Sequence, residues 1–258
     1  MLLAIEAGNT DTVIGLIDDR EVVHHWRVST VPKRTADEFM ALLRGLMAGA
    51  EDTVHGVVVC STVPSVRRTM RALVARYYAD LPSVMVEPGV RTGIPVMTDN
   101  PREVGTDRVL NALAAAHFYG TPCLVVSFAT ATTFDVVSSR GEYVGGAIAP
   151  GIGVSLEALG QAGAQLRQVE LSRPRSVIAK NTVEAVQSGT LYGFSSLADG
   201  IIARMASELG VPTEELPVIA TGGLAPSVLD EMSTVKHHDP WLTLLGLSLA
   251  YERNVLAT

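Results

Sequence analysis

Residues 2–17 read Leu-Leu-Ala-Ile-Glu-Ala-Gly-Asn-Thr-Asp-Thr-Val-Ile-Gly-Leu-Ile. They decide the fold, because a related phrase returns at residues 124–137 as Leu-Val-Val-Ser-Phe-Ala-Thr-Ala-Thr-Thr-Phe-Asp-Val-Val. In each copy an apolar run breaks at a turn of small residues and then resumes, which predicts a β-hairpin. The turns offer backbone N–H groups together with Asn or Thr side chains. Two such turns facing each other would hold a polyphosphate, which indicates a nucleotide ligand.

Composition narrows the class of protein. The chain has 258 residues, of which 47% are hydrophobic and 18% charged, so it can build a large core. Its net charge of −7 argues against sequence-independent nucleic-acid binding. Cys60 and Cys123 lie in apolar runs and are predicted to be buried thiols. Neither a signal segment nor an apolar run of membrane-spanning length is recognisable, and we expect a cytoplasmic protein without a membrane partner.

Strands and helices alternate in both halves of the chain. Each hairpin continues into a third strand, at residues 21–30 and 143–149, and helices are predicted around residues 35–47, 61–78, 103–119, 154–162, 182–209 and 241–251. This order predicts a duplicated α/β unit with mixed sheets. We place the two domains at residues 1–118 and 119–258.

Three further patterns suggest where the chemistry lies. Gly8-Asn9-Thr10 suits close approach to a phosphate, although an ordinary hairpin turn has the same residues. The strand at 217–221 ends in Gly222-Gly223, which leaves room for adenine or ribose. Asp107 and Arg108 stand near a helix start. There Asp107 would accept a hydroxyl proton and Arg108 would bind a carboxylate, but a helix cap with a surface ion pair remains an alternative.

Two phosphate turns followed by a strand-Gly-Gly turn resemble the layout of the acetate and sugar kinase/actin superfamily. Over nearly its whole length the chain also resembles the type III pantothenate kinases. The matching phrases, in order, are Gly8-Asn9-Thr10, Asn100-Pro101, Glu103-Val104-Gly105, Asp107-Arg108, Asn111, Thr130-Ala131-Thr132-Thr133-Phe134-Asp135, Gly145-Gly146, Pro150-Gly151, Asn181-Thr182, Gln187-Ser188-Gly189 and Thr221-Gly222-Gly223.

The resemblance implies duplicated ribonuclease H-like (actin-like ATPase) domains with an ATP cleft between them. It also implies phosphorylation of the primary hydroxyl of pantothenate by ATP, the first step toward coenzyme A, in a homodimer that uses Mg²⁺ and a monovalent cation, K⁺ or NH₄⁺. Asp107 would be the catalytic base. The implied ATP contacts are Glu6, Ala7, Gly8, Asn9, Thr10, Asp11, Thr12, Val13, Thr130, Gly222 and Gly223. The implied pantothenate contacts are Thr98, Gly105, Thr106, Asp107, Arg108 and Thr182, the last reaching across the dimer interface.

Four positions depart from the family pattern. Glu6 replaces the Asp that opens the phosphate loop and serves Mg²⁺, and it moves the carboxylate outward by about 1.5 Å. Ser127 replaces the Asp that binds the monovalent cation, so we expect the cation dependence to be lost. Ala129 replaces a Gly and is expected to crowd a turn that needs φ > 0. Thr98 replaces a Tyr that faces pantothenate.

These departures keep three hypotheses open. The leading one is a pantothenate kinase. The second is a divergent, weakly active or inactive paralogue that binds a ligand and acts in regulation. The third is a kinase for a different small hydroxy-acid, with Thr98 opening a changed pocket.

Overall fold

Two five-stranded sheets, each built on one of the two hairpins, form the framework of the computed structural model, which describes residues 1–87, 89–162 and 169–255. The first sheet has the order β3-β2-β1-β4-β5 and the second the order β10-β9-β6-β7-β8. In both, the hairpin and its third strand are antiparallel, and the two remaining strands continue in parallel. The mixed α/β architecture and its duplication are therefore as predicted.

The strand limits follow the predicted ones to within a few residues. The strands of the first sheet are β1 (Leu2–Ala7), β2 (Asp11–Asp18), β3 (Glu21–Ser29), β4 (Gly56–Ser61) and β5 (Ser83–Val86). Those of the second are β6 (Cys123–Phe128), β7 (Ala131–Val137), β8 (Tyr143–Pro150), β9 (Val218–Thr221) and β10 (His237–His238). Strand β10 is too short to give a periodic signal and was not expected.

Six α-helices cover the sheets in the described residues: α1 (Ala36–Met47), α2 (Pro64–Tyr77), α3 (Thr106–Tyr119), α4 (Ile152–Ala162), α5 (Thr182–Leu209) and α6 (Leu242–Val255). Helix α1 begins with a capping box, in which the Thr35 side chain accepts from the Glu38 N–H and the Glu38 carboxylate accepts from the Thr35 N–H. None of these helices combines the length and apolar character needed to cross a bilayer.

Side chains along the central strands of the first sheet alternate between its two faces. Leu3, Ile5 and Ala7 point into a core shared with α1 and α2. Glu6 therefore points to the opposite face, because side chains alternate along a strand. Helix α6 packs on strands β1, β4 and β5. The second sheet has its own core around Leu124, Val126 and Phe128, with side chains from α5.

Contacts divide the chain into two compact units. The first comprises residues 1–114 and the C-terminal residues from Trp241, and the second comprises residues 115–240. The sequence-based division at 118/119 assigned the last helix to the second half, whereas the contacts group α6 with the first. The sequence alone does not reveal that α6 belongs with the first unit, because this depends on contacts between distant parts of the chain. The domain limits themselves stay a prediction.

Candidate functional site

The turn between β1 and β2 is short and closed by backbone hydrogen bonds. The Gly8 N–H donates to the Asp11 carbonyl (2.9 Å), and the Thr30 N–H donates to the Thr10 carbonyl (2.8 Å). Asn9 and Thr10 are exposed at the tip of the turn, where a ligand would meet them. The turn is thus held in one conformation by its own strands.

Not every residue of the predicted phosphate loop presents its side chain outward. Thr12 is 2% exposed and its hydroxyl forms a hydrogen bond with the Thr30 hydroxyl (2.9 Å). Val13 is also buried. These two side chains stabilise the hairpin from within, while residues 8–10 form the part that approaches the surface.

Glu6 is the last residue but one of β1 and is half-buried. The sheet register pairs it with Val13 on β2 and with Cys60 on β4. Burial raises the pKa of the Glu6 carboxyl group to about 8, and the negative charges of Asp107 and Asp11 raise it further against the opposing charge of Arg27. A carboxylate in such surroundings is stabilised when a cation or a proton arrives.

Asp107 lies in the first turn of α3, close enough to Glu6 to act on its charge. A Cβ atom on Gly105 would stand 2.5 Å from Oδ1 of Asp107, so any other residue there would displace this carboxylate. Burial raises the pKa of Asp107, and the backbone N–H groups of Arg108 and Asp107 itself partly oppose that shift. A carboxylate with a raised pKa is a better proton acceptor than an exposed one.

The charges of Glu6 and Asp107 also act on the thiol of Cys60, which lies beside Glu6 on β4. Cys60 is 1% exposed, and burial raises the pKa of its thiol well above the usual value, with further contributions from Glu6 and Asp107. The thiol is consequently a neutral, apolar neighbour for Glu6. The prediction of two buried cysteines is confirmed, since both are buried and free.

One positively charged side chain near Glu6 was not predicted from the sequence. Arg27 on β3 forms an ion pair with Asp11 (Nη1 to Oδ2, 3.0 Å) and lowers the pKa of Glu6. The β2–β3 register pairs Arg27 with Val13 and places it on the face of the sheet that carries Glu6. Extending the predicted hairpin register to the third strand would have found this residue.

The chain before α3 carries the other predicted acceptor contacts. Gly105, Thr106 and Arg108 are half-buried around the start of the helix. The Thr98 hydroxyl oxygen is buried, yet it has no hydrogen-bond partner among the described residues. A buried hydroxyl without a partner is unfavourable, and a polar ligand group would satisfy it.

Ser127 occupies in the second sheet the register position that Glu6 has in the first. Its strand neighbours are Thr133 on β7 and Thr221 on β9, so three neutral hydroxyl side chains lie together. Asp135, two residues along β7, is fully buried and accepts hydrogen bonds from the Tyr143 hydroxyl (2.8 Å) and the Thr133 hydroxyl (3.2 Å). Position 127 thus brings no carboxylate of its own, and the nearby Asp135 carboxylate accepts hydrogen bonds from Thr133 and Tyr143.

The turn after β6 corrects one expectation. Ala129 does not have a positive φ, and its N–H donates to the Ala131 carbonyl (3.0 Å), so alanine fits this turn without crowding. Glycine is required instead at Gly222, with φ of +93° and a Cβ position 2.4 Å from the Phe128 carbonyl oxygen, and at Gly151, where a Cβ would stand 2.2 Å from the Thr130 carbonyl oxygen. The Gly222-Gly223 turn therefore lies against the end of β6, immediately before Thr130.

Thr182 is the first residue of α5 and is exposed. Asn181 caps the helix, its side chain accepting from the Glu184 N–H (2.9 Å). Several large apolar side chains of the second unit are also exposed: Val144, Ile148, Val154, Leu159, Val177, Ile178, Val183 and Leu197.

The chain has two pairs of adjacent histidines, His24-His25 and His237-His238, and neither belongs to a metal-ligating group among the described residues. His24 stacks on Trp26, and His25 packs against the ring of Trp241 at 4.0 Å between centroids. A search of the described residues finds no group of three or more His, Cys, Asp or Glu side chains that could hold a metal ion by themselves. A divalent ion at Glu6 would therefore need further ligands from a bound phosphate.

Comparisons with known proteins point to one family. A family model described as type III pantothenate kinase matches residues 2–204. A type III pantothenate kinase from Streptomyces griseus is 59% identical over 262 aligned positions, covering 99% of both chains, and one from Thermobifida fusca is 55% identical, covering 98% of this chain and all of the other.

Solved structures show the same fold at low identity. A Baf family transcriptional activator from Campylobacter jejuni superimposes with a TM-score of 0.60 at 15% identity, covering 98% of both chains. A ROK hexokinase from Thermus thermophilus gives 0.55 at 13% identity, covering all of this chain and 99% of the other. The predicted fold class is confirmed.

The raised pKa of Glu6 predicts that the free energy of unfolding decreases as the pH rises. Between the unfolded pKa near 4.5 and the folded pKa of about 8, the folded chain keeps a proton that the unfolded chain releases. Stability therefore falls by up to about 1.4 kcal/mol per pH unit in that window. We expect Glu6→Gln in EDTA to have a higher Tm than the parent at pH 8 and a similar Tm at pH 4.5. Glu21→Gln, at an exposed position, is the control, and parallel Tm curves for parent and Glu6→Gln would contradict the prediction.

Proposed function

The chain belongs to the type III pantothenate kinase family, and from this premise we propose that it transfers the γ-phosphoryl group of ATP to the primary hydroxyl of pantothenate. The observation that carries the proposal is the placement of Asp107, a half-buried carboxylate with a raised pKa, beside Glu6 at the end of the phosphate-loop strand. The high identity to pantothenate kinases over the full chain does not favour a regulatory paralogue or a kinase for another hydroxy-acid.

The reaction needs one proton acceptor and one anion site. Asp107 accepts the proton of the pantothenate hydroxyl, whose oxygen forms the new bond to the γ-phosphorus while the bond to the β–γ bridging oxygen breaks and ADP leaves. Arg108, the next residue, is suited to the pantothenate carboxylate because a guanidinium binds carboxylates through two parallel hydrogen bonds. Gly105 supports both roles by leaving space for the Asp107 carboxylate.

Nucleotide binding is assigned to the turn residues. Gly8, Asn9 and Thr10 offer a tight turn with polar side chains at its tip, which suits phosphate oxygens. In the second unit, Thr130, Gly222 and Gly223 are the candidate nucleotide contacts, and the positive φ of Gly222 keeps that backbone free of side-chain bulk.

Mg²⁺ fits the residues present. The Glu6 carboxylate is held near Asp107 in surroundings that disfavour negative charge, and one or two carboxylates with phosphate oxygens are usual Mg²⁺ ligands. When bound, the ion would neutralise charge on the phosphate oxygens. Glu6 would hold it, while Asp107 remains the proton acceptor.

A homodimer in the cytoplasm belongs to the same proposal. Support for association comes from the large apolar side chains that the second unit exposes to solvent, because a partner subunit would cover them. Val177, Ile178 and Val183 flank the start of α5, where Thr182 is exposed. Thr182 would meet pantothenate bound to the partner subunit.

The catalytic role of Asp107 predicts a large loss of activity in Asp107→Asn. The amide cannot accept the hydroxyl proton, so we expect kcat to fall by about 10²- to 10⁴-fold in a pantothenate-dependent ADP-release assay. ATP binding, measured by calorimetry, should persist. Asp99→Asn, an exposed carboxylate of the preceding loop, is the matched control. More than a tenth of the parent activity in Asp107→Asn would exclude the role.

Because no described residue forms a hydrogen bond with the Thr98 hydroxyl, we predict that its removal changes the kinetics and not the stability. Thr98→Val keeps the shape but removes the hydroxyl, and a neutral hydrogen bond contributes about 0.5–1.5 kcal/mol. We expect KM for pantothenate to rise about 3- to 10-fold and the Tm to stay the same or rise. Thr98→Ser should retain the parent KM. A lower Tm for Thr98→Val with an unchanged KM would mean that the hydroxyl serves the fold.

The neutral side chain of Ser127 leads us to predict that the kinase activity does not require K⁺. The hydroxyl groups of Ser127, Thr133 and Thr221 bring no negative charge to the position. We expect equal rates in K⁺, NH₄⁺ and tetramethylammonium chloride at matched ionic strength. A several-fold loss of rate in tetramethylammonium would show that the chain has kept a cation site.

A further inference from the structure

The last turn of α6 contacts the loop that leads to α3. Asn254 donates from Nδ2 to the Arg91 carbonyl (2.8 Å) and to the Ala250 carbonyl of its own helix (2.7 Å). Arg253 donates from Nη1 to the Gly93 carbonyl (3.1 Å). Two neighbouring side chains of one helix end thus hold two carbonyl groups of residues 91–93, which lie 160 residues away in the sequence.

Gly93 is shaped for this contact. Its φ is +87°, a conformation that favours glycine, and a Cβ atom there would overlap the Arg253 guanidinium group. The guanidinium therefore lies directly against the loop backbone. Ile94, the next residue, is buried and anchors the same segment.

The other end of α6 contacts α3, which carries Asp107. A Cβ atom on Gly246 would stand 2.3 Å from the Leu110 carbonyl oxygen, so the two helix backbones approach closely. The Thr243 hydroxyl donates to Oδ1 of Asn111, a residue that is 3% exposed (2.7 Å). From Thr243 to Asn254 the helix rises about 16 Å. One rigid element therefore contacts both α3 and the loop at 91–93.

The segment between these contacts contains Thr98, whose buried hydroxyl lacks a partner among the described residues. Met97, Asp99 and Asn100 around it are exposed, and Met97 is 57% exposed. A segment whose side chains are mostly exposed gains little from packing of its own, so the contacts at residues 91–93 help to fix its position. A ligand that meets an already positioned loop avoids the entropic cost of ordering it.

We propose that the end of α6 is a clamp that positions residues 91–98 relative to Asp107, and that Arg253 and Asn254 are positioning residues for acceptor binding. The proposal rests on the proposed function, in which Thr98 and Asp107 meet the same acceptor. The clamp contributes to recognition of the acceptor and has no part in binding ATP.

A third residue of the same turn supplies the control. Glu252 binds Arg20 of the β2–β3 turn through two hydrogen bonds (3.1 and 2.8 Å), so its carboxylate is directed to that turn and not to residues 91–93. Glu252→Ala therefore removes an ion pair from the same helix end without releasing the loop. Comparing Glu252→Ala with variants of Arg253 and Asn254 therefore distinguishes a general weakening of α6 from loss of the clamp.

Steady-state kinetics with pantothenate and ATP test the clamp. For the double variant Arg253→Ala/Asn254→Ala we expect KM for pantothenate to rise about tenfold, with KM for ATP within twofold of the parent. Arg253→Lys, which keeps a donor, should recover part of the effect relative to Arg253→Ala. An equal rise in both KM values, or the same rise in Glu252→Ala, would overturn the proposal.

Hydrogen exchange followed by mass spectrometry gives a readout that does not need activity. Amides of residues 91–98 should exchange faster in the double variant than in the parent or in Glu252→Ala. Unchanged exchange there would overturn the clamp. If the parent chain shows no pantothenate-dependent ADP release, the proposed function fails, and the exchange data still decide whether the clamp exists.

Discussion

The register of β1 with its two neighbours is the constraint on which the candidate site depends. Pairing β1 antiparallel to β2 and parallel to β4 puts Glu6 between Val13 and Cys60, on the face opposite the core of α1 and α2. A slip of one residue would turn Glu6 into that core and Ile5 out of it. Burial of Leu3, Ile5 and Ala7 therefore stabilises the same register that presents the carboxylate.

Duplication of the sheet allows the two halves to be compared position by position. Glu6 and Ser127 hold equivalent places, as do Cys60 and Thr221, yet the first half has a carboxylate beside a thiol and the second has only hydroxyl groups. Strand geometry is the same in both, so the difference lies in side-chain chemistry alone. The first sheet has an ionisable carboxyl group at Glu6, close to Asp107, whereas the equivalent position of the second sheet, Ser127, is neutral.

Glycine serves the site mainly through the space that it leaves. Gly105 makes room for the Asp107 carboxylate, Gly246 lets α6 approach α3, and Gly93 accommodates Arg253. At Gly246 and Gly93 the missing side chain permits a contact between elements that are distant in sequence. Ala129, by contrast, occupies a turn whose backbone does not need glycine, and its substitution has little structural consequence.

Local sequence determined the strands, the helices and the duplication, because alternation, helical spacing and capping residues act over a few positions. It also indicated the turn at Gly8-Asn9-Thr10 and the helix start at Asp107. Only the tertiary structure decided that the Thr98 hydroxyl is buried with no hydrogen-bond partner in the part of the chain that the structure describes, and that α6 packs with the first sheet and holds residues 91–93. These facts depend on contacts between residues far apart in the chain, and no short stretch of sequence carries that information.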